Sequence, residues 1–229
     1  HRLAAAAPEE AWTQIAPLLE LGLHHEQQHQ ELICTDIKHL FSLPPAPEPA
    51  FTAAHAPAPA PADPGPASWI ELPEGRIRIG HDPANGFAFD CEGPAHDRLV
   101  YGASIASRPV TNGDWLAFIE DGGYDDVRLW LSDGWAWRCE TGVRSPLYWR
   151  ACEDGWREYT LHGETPLDPA RPVAHVSGYE AAAYAEWAGA RLPSEFELEQ
   201  LARSHPADAG GLVENACVHP AAMEPGGAV

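Results

Sequence analysis

Basic residues are few in this sequence: 14 lysines and arginines stand against 34 aspartates and glutamates, so the 229 residues carry a net charge of −20. Nucleic acids and anionic membranes recruit proteins through basic surfaces, so this balance argues against both as partners. Long apolar runs are also missing, and none approaches the roughly 18–20 residues that a membrane-crossing helix needs. These absences favour a chain kept in solution by its own charge.

Cysteines with metal-site spacing are absent as well. The five cysteines are widely spaced and form no Cys-x-x-Cys pair; they are Cys34, Cys91, Cys139, Cys152 and Cys217. A thiolate zinc site is therefore not expected, and free thiols in a reducing cytoplasm fit best. The first residue is not methionine and no apolar signal segment follows it, so we expect the chain to begin inside a longer cytoplasmic protein.

Two segments of different composition flank a proline- and alanine-rich stretch. Apolar spacings near three and four predict a helix over residues 8–41, with a kink or break at Pro17 and an end at the prolines that follow. The Pro/Ala-rich stretch predicts an extended, semi-rigid spacer between two domains. The predicted units are residues 1–43, 44–67 and 68–229.

After residue 67 the pattern changes to short strands, long loops and a few short helices. Alternating apolar residues predict strands around Ile70 and Leu72 and around Ile77 and Ile79. Three helices are predicted: 112–121 after Thr111, 179–188 between Ser177 and Gly189, and 194–203, which opens with a capping box from Ser194 to Glu197. Tryptophan is concentrated here, and no internal repeat is present. The fold class expected is α+β, with an irregular second part.

The strongest chemical signal is the pair His25 and His29 on the first predicted helix. Four residues are about 400° of helical rotation, so both imidazoles leave the same face and can chelate one divalent metal. Spacing alone is equally consistent with two solvated histidines. Gln28, about 60° from His25, borders the same face. It could bind a substrate beside the metal, or it could be an ordinary solvated glutamine.

The run from His25 to His29 also matches the His-Glu-x-x-His pattern of helical zinc proteases, but the residues that follow do not extend it as such a protease requires. Glu31 lies about 200° around the helix from His29, which argues against it as a ligand and favours a supporting role behind the ligands. His24 and His39 are expected on the surface. A third ligand could come from an earlier helix or from a later histidine, and no spacing selects among His55, His81, His96, His162, His175, His205 and His219.

Residues 21–32 and 35–39 closely resemble the metal-binding helix of the ergothioneine-biosynthesis sulfoxide synthases, whose motif His-x3-His-x-Glu falls on His25, His29 and Glu31. The later part resembles that family's formylglycine-generating-enzyme-like domain, which has a C-type-lectin-type core. The stretches that carry this second resemblance are 89–90, 108–115, 121–124, 130–135, 146–149, 172–177 and 184–195. The resemblance implies the remnant of a DinB-like helical bundle joined by the spacer to that domain.

The resemblance further implies an oxidoreductase that uses Fe(II) and O2 to join a thiol to the imidazole of trimethylhistidine (hercynine) as a sulfoxide. Three histidines hold the iron in that family, and His25 and His29 correspond to two of them. Gln28 corresponds to a glutamine that contacts the substrate imidazole. The third histidine and the catalytic tyrosine region are expected outside this sequence, so no catalytic residue is assigned here.

Several alternatives stay open. The thiol could be cysteine or γ-glutamylcysteine. A DinB-like metal-dependent thiol transferase would share the helix but not the second domain, and a lectin-like binding module would need no metal. Because only two of three ligands are expected in this sequence, the 229 residues alone should retain iron poorly and show little turnover.

Overall fold

The computed structural model describes residues 9–43, 48–51, 65–203 and 218–221. Predictions that concern His55, His205, Cys217 and most of the Pro/Ala-rich spacer lie outside these residues. The described part combines helices with small antiparallel sheets, so the α+β prediction is confirmed.

The longest element is helix α1, Glu9–Ser42. It continues through Pro17, so a break at that residue is not observed. A proline removes one backbone hydrogen bond and crowds the carbonyl four residues earlier, and this 34-residue helix continues past that local disruption. At the other end the Ser42 hydroxyl donates to the His39 carbonyl oxygen at 2.7 Å. Among the described helices, none combines the length and apolar character that crossing a membrane requires.

The strands form three small antiparallel sheets. Strand β1 pairs with β4, β2 pairs with β3, and β5, β6 and β7 form a meander. Both strand regions expected from alternation are confirmed, and Leu72 and Ile79 are buried on their inner faces. The strands are Trp69–Leu72 (β1), Gly75–Ile79 (β2), His96–Val100 (β3), Ala103–Ala106 (β4), Trp149–Cys152 (β5), Gly155–Thr160 (β6) and Gly163–Pro166 (β7).

Four shorter helices complete the described fold: α2 (Asn112–Glu120), α3 (Ser132–Thr141), α4 (Gly178–Trp187) and α5 (Glu195–Ala202). Helices α2, α4 and α5 confirm the three predictions. Their N-caps are Thr111, Ser177 and Ser194, and each cap side chain accepts a backbone N–H three residues ahead. Helix α3 is not predicted from the sequence, because Gly134 in its first turn and its mixed faces hide the helical period.

The core lies where α2 and α4 meet the loops after α2. Trp115, Phe118, Tyr124, Trp130 and Ala183 form one buried cluster. One buried hydrogen-bond chain crosses it. The Trp115 indole N–H donates to the Tyr124 hydroxyl at 3.3 Å, and that hydroxyl donates to Glu180 Oε1 at 2.7 Å. Burial and then the Glu180 charge raise the pKa of Tyr124, so the phenol stays protonated and keeps donating.

Candidate metal centre

His25 and His29 lie side by side on α1. Their ring centroids are 4.5 Å apart with planes at 87°, and both side chains are exposed. Two neutral imidazoles one helical turn apart suit a borderline divalent cation such as Fe(II). The pair therefore fits two positions of such a metal site.

Helix α1 contacts the second part of the chain at two places along its length. The His24 ring stacks on Phe87, with centroids 4.0 Å apart and planes at 14°. Toward the end of the helix, Lys38 Nζ lies 2.6 Å from His175 Nε2. Because His29 is nine residues before Lys38, about 180° of helical rotation separates them. His29 therefore leaves α1 on the side opposite Lys38, and His25 leaves it about 140° from Lys38.

The described histidines beyond α1 do not join the pair. No group of three or more His, Cys, Asp or Glu side chains in the described ranges is arranged to hold a metal ion. Each of these rings contacts another residue instead. His81 and His96 lie within hydrogen-bond distance of the Gly86 and Pro94 carbonyl oxygens, and the His162 ring lies beside Phe51. His175 contacts Lys38, and His219 lies near Glu158. The third ligand, which spacing along the sequence does not select, is not supplied by the described residues.

Gln28 and Glu31 are both exposed on α1. Gln28 borders the His25 and His29 face, as its spacing predicts. Glu31 lies about 20° from Lys38 in helical projection, on the side that the second part of the chain occupies. Its proposed role behind the metal ligands stays a prediction. His24, expected on the surface, is instead half-buried against Phe87, because the loop carrying Phe87 covers that face.

A polar cluster joins α1 to the second part of the chain; Lys38, Glu158 and His219 in it are buried, whereas His39 and His175 are exposed. The Lys38 ammonium lies 2.6 Å from His175 Nε2 and 4.9 Å from the centroid of the Tyr148 ring. His39 Nδ1 lies 3.3 Å from the Tyr148 hydroxyl. Glu158 carries the nearby negative charge, and its Oε1 is 3.5 Å from His219 Nε2. We call these residues the junction cluster: Lys38, His39, Tyr148, Glu158, His175 and His219.

Partial removal of solvent from Lys38 and His175 shifts the pKa values of both groups. Desolvation lowers the pKa of Lys38 to about 8, although the Glu158 charge opposes the shift. Desolvation, then the Lys38 and His219 charges, lower the pKa of His175 to about 4. At neutral pH the lysine is therefore mostly protonated and His175 is neutral. Lys38 then donates to a His175 Nε2 that carries no proton.

Sequence reasoning missed this cluster, although one signal was available. Lys38 is the only lysine in the sequence, and its side chain is 6% exposed while most lysines stay in water. Its partners Tyr148 and His175 are more than a hundred residues away along the chain. Composition could have singled out the lysine, but only the fold identifies what it contacts.

Because Lys38 is the sole lysine, isotope-labelled lysine should give one side-chain amine signal whose pH titration is read directly by NMR. We expect a midpoint near 8 in the folded chain. In denaturant the same signal should titrate near the ordinary lysine value of about 10.4. A folded-state midpoint equal to the denatured one would show that Lys38 is not desolvated as described.

Part of the Pro/Ala-rich spacer is held against the β6–β7 hairpin. The backbone N–H groups of Ala50 and Phe51 both donate to the Leu161 carbonyl oxygen at 2.9 Å. The Tyr159 hydroxyl donates to the Glu48 carbonyl oxygen at 2.5 Å. The described spacer residues 48–51 therefore contact the β6–β7 hairpin, whose strand β6 also carries Glu158 of the junction cluster.

Comparison with known proteins identifies the second part of the chain. Residues 54–218 match the family described as the sulfatase-modifying factor enzyme 1-like domain. The chain belongs to that family. The resemblance to a formylglycine-generating-enzyme-like domain is thereby confirmed.

Relatives of two kinds carry such sequences. The chain is 48% identical over 121 residues to a hercynine oxygenase of Mycolicibacterium thermoresistibile, which covers 53% of the chain and 26% of that relative. It is 38% identical over 182 residues to the hercynine oxygenase of Mycolicibacterium smegmatis, covering 79% and 40%. It is 31% identical over 209 residues to the formylglycine-generating enzyme of Streptomyces coelicolor, covering 80% and 59%. The resemblance to the sulfoxide synthase family is confirmed at this level, and the matched part spans less than half of either hercynine oxygenase.

Proposed function

We propose that this chain is part of a non-haem iron enzyme that joins a thiol to the imidazole of trimethylhistidine as a sulfoxide. One observation carries the proposal: two histidines with adjacent rings, His25 and His29, lie on a helix packed against a domain of the sulfatase-modifying factor family. The hercynine oxygenase relatives support the substrate class.

The proposed reaction balances without a further reductant. A thiol S–H and the imidazole ring C–H of trimethylhistidine are both lost, and a carbon–sulfur bond forms. One atom of O2 becomes the sulfoxide oxygen and the other leaves as water. Bound iron would supply the site where thiol and O2 meet, because three protein ligands leave positions open on a six-coordinate ion.

The residues of this chain have distinct parts in that scheme. His25 and His29 would hold the iron through neutral imidazole nitrogens, which their exposed position leaves available. Gln28 would hydrogen-bond the substrate imidazole through its amide and so orient it beside the sulfur. The third histidine ligand is proposed to come from a segment preceding residue 1, on the side of α1 that faces away from the junction cluster.

Two alternatives make different demands on the chain. A DinB-like thiol transferase would account for the histidine pair but not for the family match over residues 54–218. A lectin-like binding module would account for that domain but would give the histidine pair no role. The sulfoxide synthase proposal uses both features.

Oxygen uptake tests the proposal against both alternatives. The complete gene product that contains this chain should consume O2 only when Fe(II), trimethylhistidine and a thiol are all present. Running the assay separately with cysteine and with γ-glutamylcysteine identifies the thiol. Thiol transfer without O2 consumption would favour the transferase, and a metal-free protein that binds ligands without turnover would favour the binding module.

Replacing Gln28 with leucine should raise the KM for trimethylhistidine. The substitution removes one hydrogen bond to a neutral group, which corresponds to about 0.5–1.5 kcal/mol, or roughly two- to tenfold. The KM for the thiol should change little, since the amide is assigned to the imidazole. Gln27→Leu is the matched control, because Gln27 is also exposed but leaves α1 about 200° from His25. An equal rise of the KM for trimethylhistidine in the two variants would show that Gln28 does not bind the substrate imidazole.

A further inference from the structure

Two contacts between α1 and the second part of the chain lie on either side of His25 and His29 along the helix. His24 stacks on Phe87 immediately before His25, and Lys38 enters the junction cluster nine residues after His29. His24 and Lys38 are fourteen residues apart, about 21 Å along the helix axis and within about 40° of the same face. His24 and Lys38 therefore contact the second part of the chain from one side of the helix, and His29 leaves the helix about 140° from His24 and about 180° from Lys38.

The partners of Lys38 are held in an unusual backbone conformation. Among the described residues, Tyr148 and His175 are the two non-glycine residues with positive φ, at 74° and 60°. This left-handed conformation is unfavourable for bulky side chains and persists only where the surrounding structure imposes it. Backbone bonds hold both residues in place: the Leu147 N–H donates to the His175 carbonyl oxygen, and the Tyr159 N–H donates to the Tyr148 carbonyl oxygen. The fold thus holds two strained residues at the places where they receive Lys38.

Stability alone does not explain why a lysine is buried at position 38. Burial disfavours its charged form, and an apolar side chain of similar volume is often as stable or more stable at such a site. A directed hydrogen bond, however, permits one orientation where an apolar contact permits several. At this position a small rotation of α1 would carry His25 and His29 with it.

We propose that the hydrogen bond between Lys38 and His175 fixes the rotation of α1 about its axis and so determines where His25 and His29 point. Lys38 is then a positioning residue for the metal pair. The inference rests on the proposed function for the role of that pair, whereas the contact itself can be tested without metal.

A distance measurement on the 229-residue chain tests this. Nitroxide labels at Cys139, exposed on α3, and at Gln27→Cys, exposed on α1, report the position of α1 by pulsed electron paramagnetic resonance. The other cysteines are replaced by serine. Lys38→Met should broaden or split the distance distribution while the melting temperature stays equal or rises. Gln30→Met, an exposed polar-to-methionine change on the same helix, is the matched control and should leave the distribution unchanged.

A pH series separates positioning from simple packing. The titratable and charged groups around His175 are Lys38 from α1, Tyr148 before β5, Glu158 from β6 and His219 from segment 218–221, and His39 of α1 contacts Tyr148. Because the pKa of His175 is depressed from 6.5 to about 4, the undocked state takes up a proton first, and docking weakens as the pH falls through that window. The distribution should broaden there. In His175→Asn, which has no titrating ring and tolerates positive φ, this change should be absent.

The outcomes are distinguishable from those of the proposed function. An unchanged distribution in Lys38→Met, with the chain folded, would overturn the positioning role whatever metal the protein binds. Acid broadening that is equal in the His175→Asn variant would also overturn it, since other groups would then control the docking. The opposite combination is also informative. If Lys38→Met broadens the distance distribution as expected but the complete protein shows no oxygen-dependent turnover, the positioning role of Lys38 stands and the proposed iron chemistry is wrong.

Discussion

Replacing His29 with alanine in the complete gene product should abolish iron retention at one equivalent and reduce turnover below detection. The pair on α1 supplies two of the ligands in the proposed site, and a catalytic metal held by three protein ligands is poorly held by two. His25→Ala should have the same effect. The double variant should be no worse than either single one, because residues that act as a unit are not additive.

The matched control is His96→Ala. His96 is also exposed, but its ring lies on β3 beside the Pro94 carbonyl oxygen, away from α1. Iron content by elemental analysis and turnover should stay at the wild-type level in this variant. Full iron content in His29→Ala, with the protein folded, would show that the pair is not the metal site.

The second large effect is expected in the core. Gly123 packs against the buried ring of Phe118 so closely that an added Cβ would lie 2.0 Å from a ring carbon. Its carbonyl oxygen also accepts a hydrogen bond from the Trp130 indole at 2.9 Å, which leaves little freedom to move away. Gly123→Ala should therefore lower the free energy of unfolding by about 1–3 kcal/mol or more, as overpacked cores do. Chemical denaturation of the 229-residue chain measures this.

Two further variants show whether the Phe118 ring is the cause. Gly178→Ala, at the open first position of α4, has nothing within contact of the new methyl group, and should be neutral or stabilise by about 0.4–1 kcal/mol. Adding Phe118→Leu to Gly123→Ala removes the ring atoms that clash, so the double variant should lose less stability than the two single losses added together. If the stability losses of the two single variants add exactly in the double variant, contact with the Phe118 ring is not the cause of the Gly123→Ala effect.

Local chemistry explains what could be predicted about the fold. Thr111, Ser177 and Ser194 were identified as helix starts because a cap is made by a hydroxyl and a backbone N–H three residues away, and both are visible in sequence. The meander of β5, β6 and β7 was not predicted, since its short strands, with Gly155 and Gly163 at their turns, lack clear alternation. The continuous α1 was predicted in extent but not through Pro17.

Part of the candidate site could likewise be predicted from the sequence, and part could not. His25 and His29 could be paired from sequence because four residues along a helix fix their relation. Which side of α1 they face could not, because that depends on Lys38 meeting His175, 137 residues later. His24 was expected in solvent for the same reason, since its stacking partner Phe87 is brought to it only by the fold.

The decisive measurement for the proposed sulfoxide synthase is the identity of the product that the complete gene product forms from trimethylhistidine, a thiol and isotopically labelled O2. We expect a sulfoxide with sulfur bonded to the imidazole ring and one labelled oxygen on that sulfur, lost in His29→Ala and formed in His96→Ala. A folded, iron-loaded protein that consumes O2 but only oxidises the thiol, with no carbon–sulfur bond formed, would contradict it.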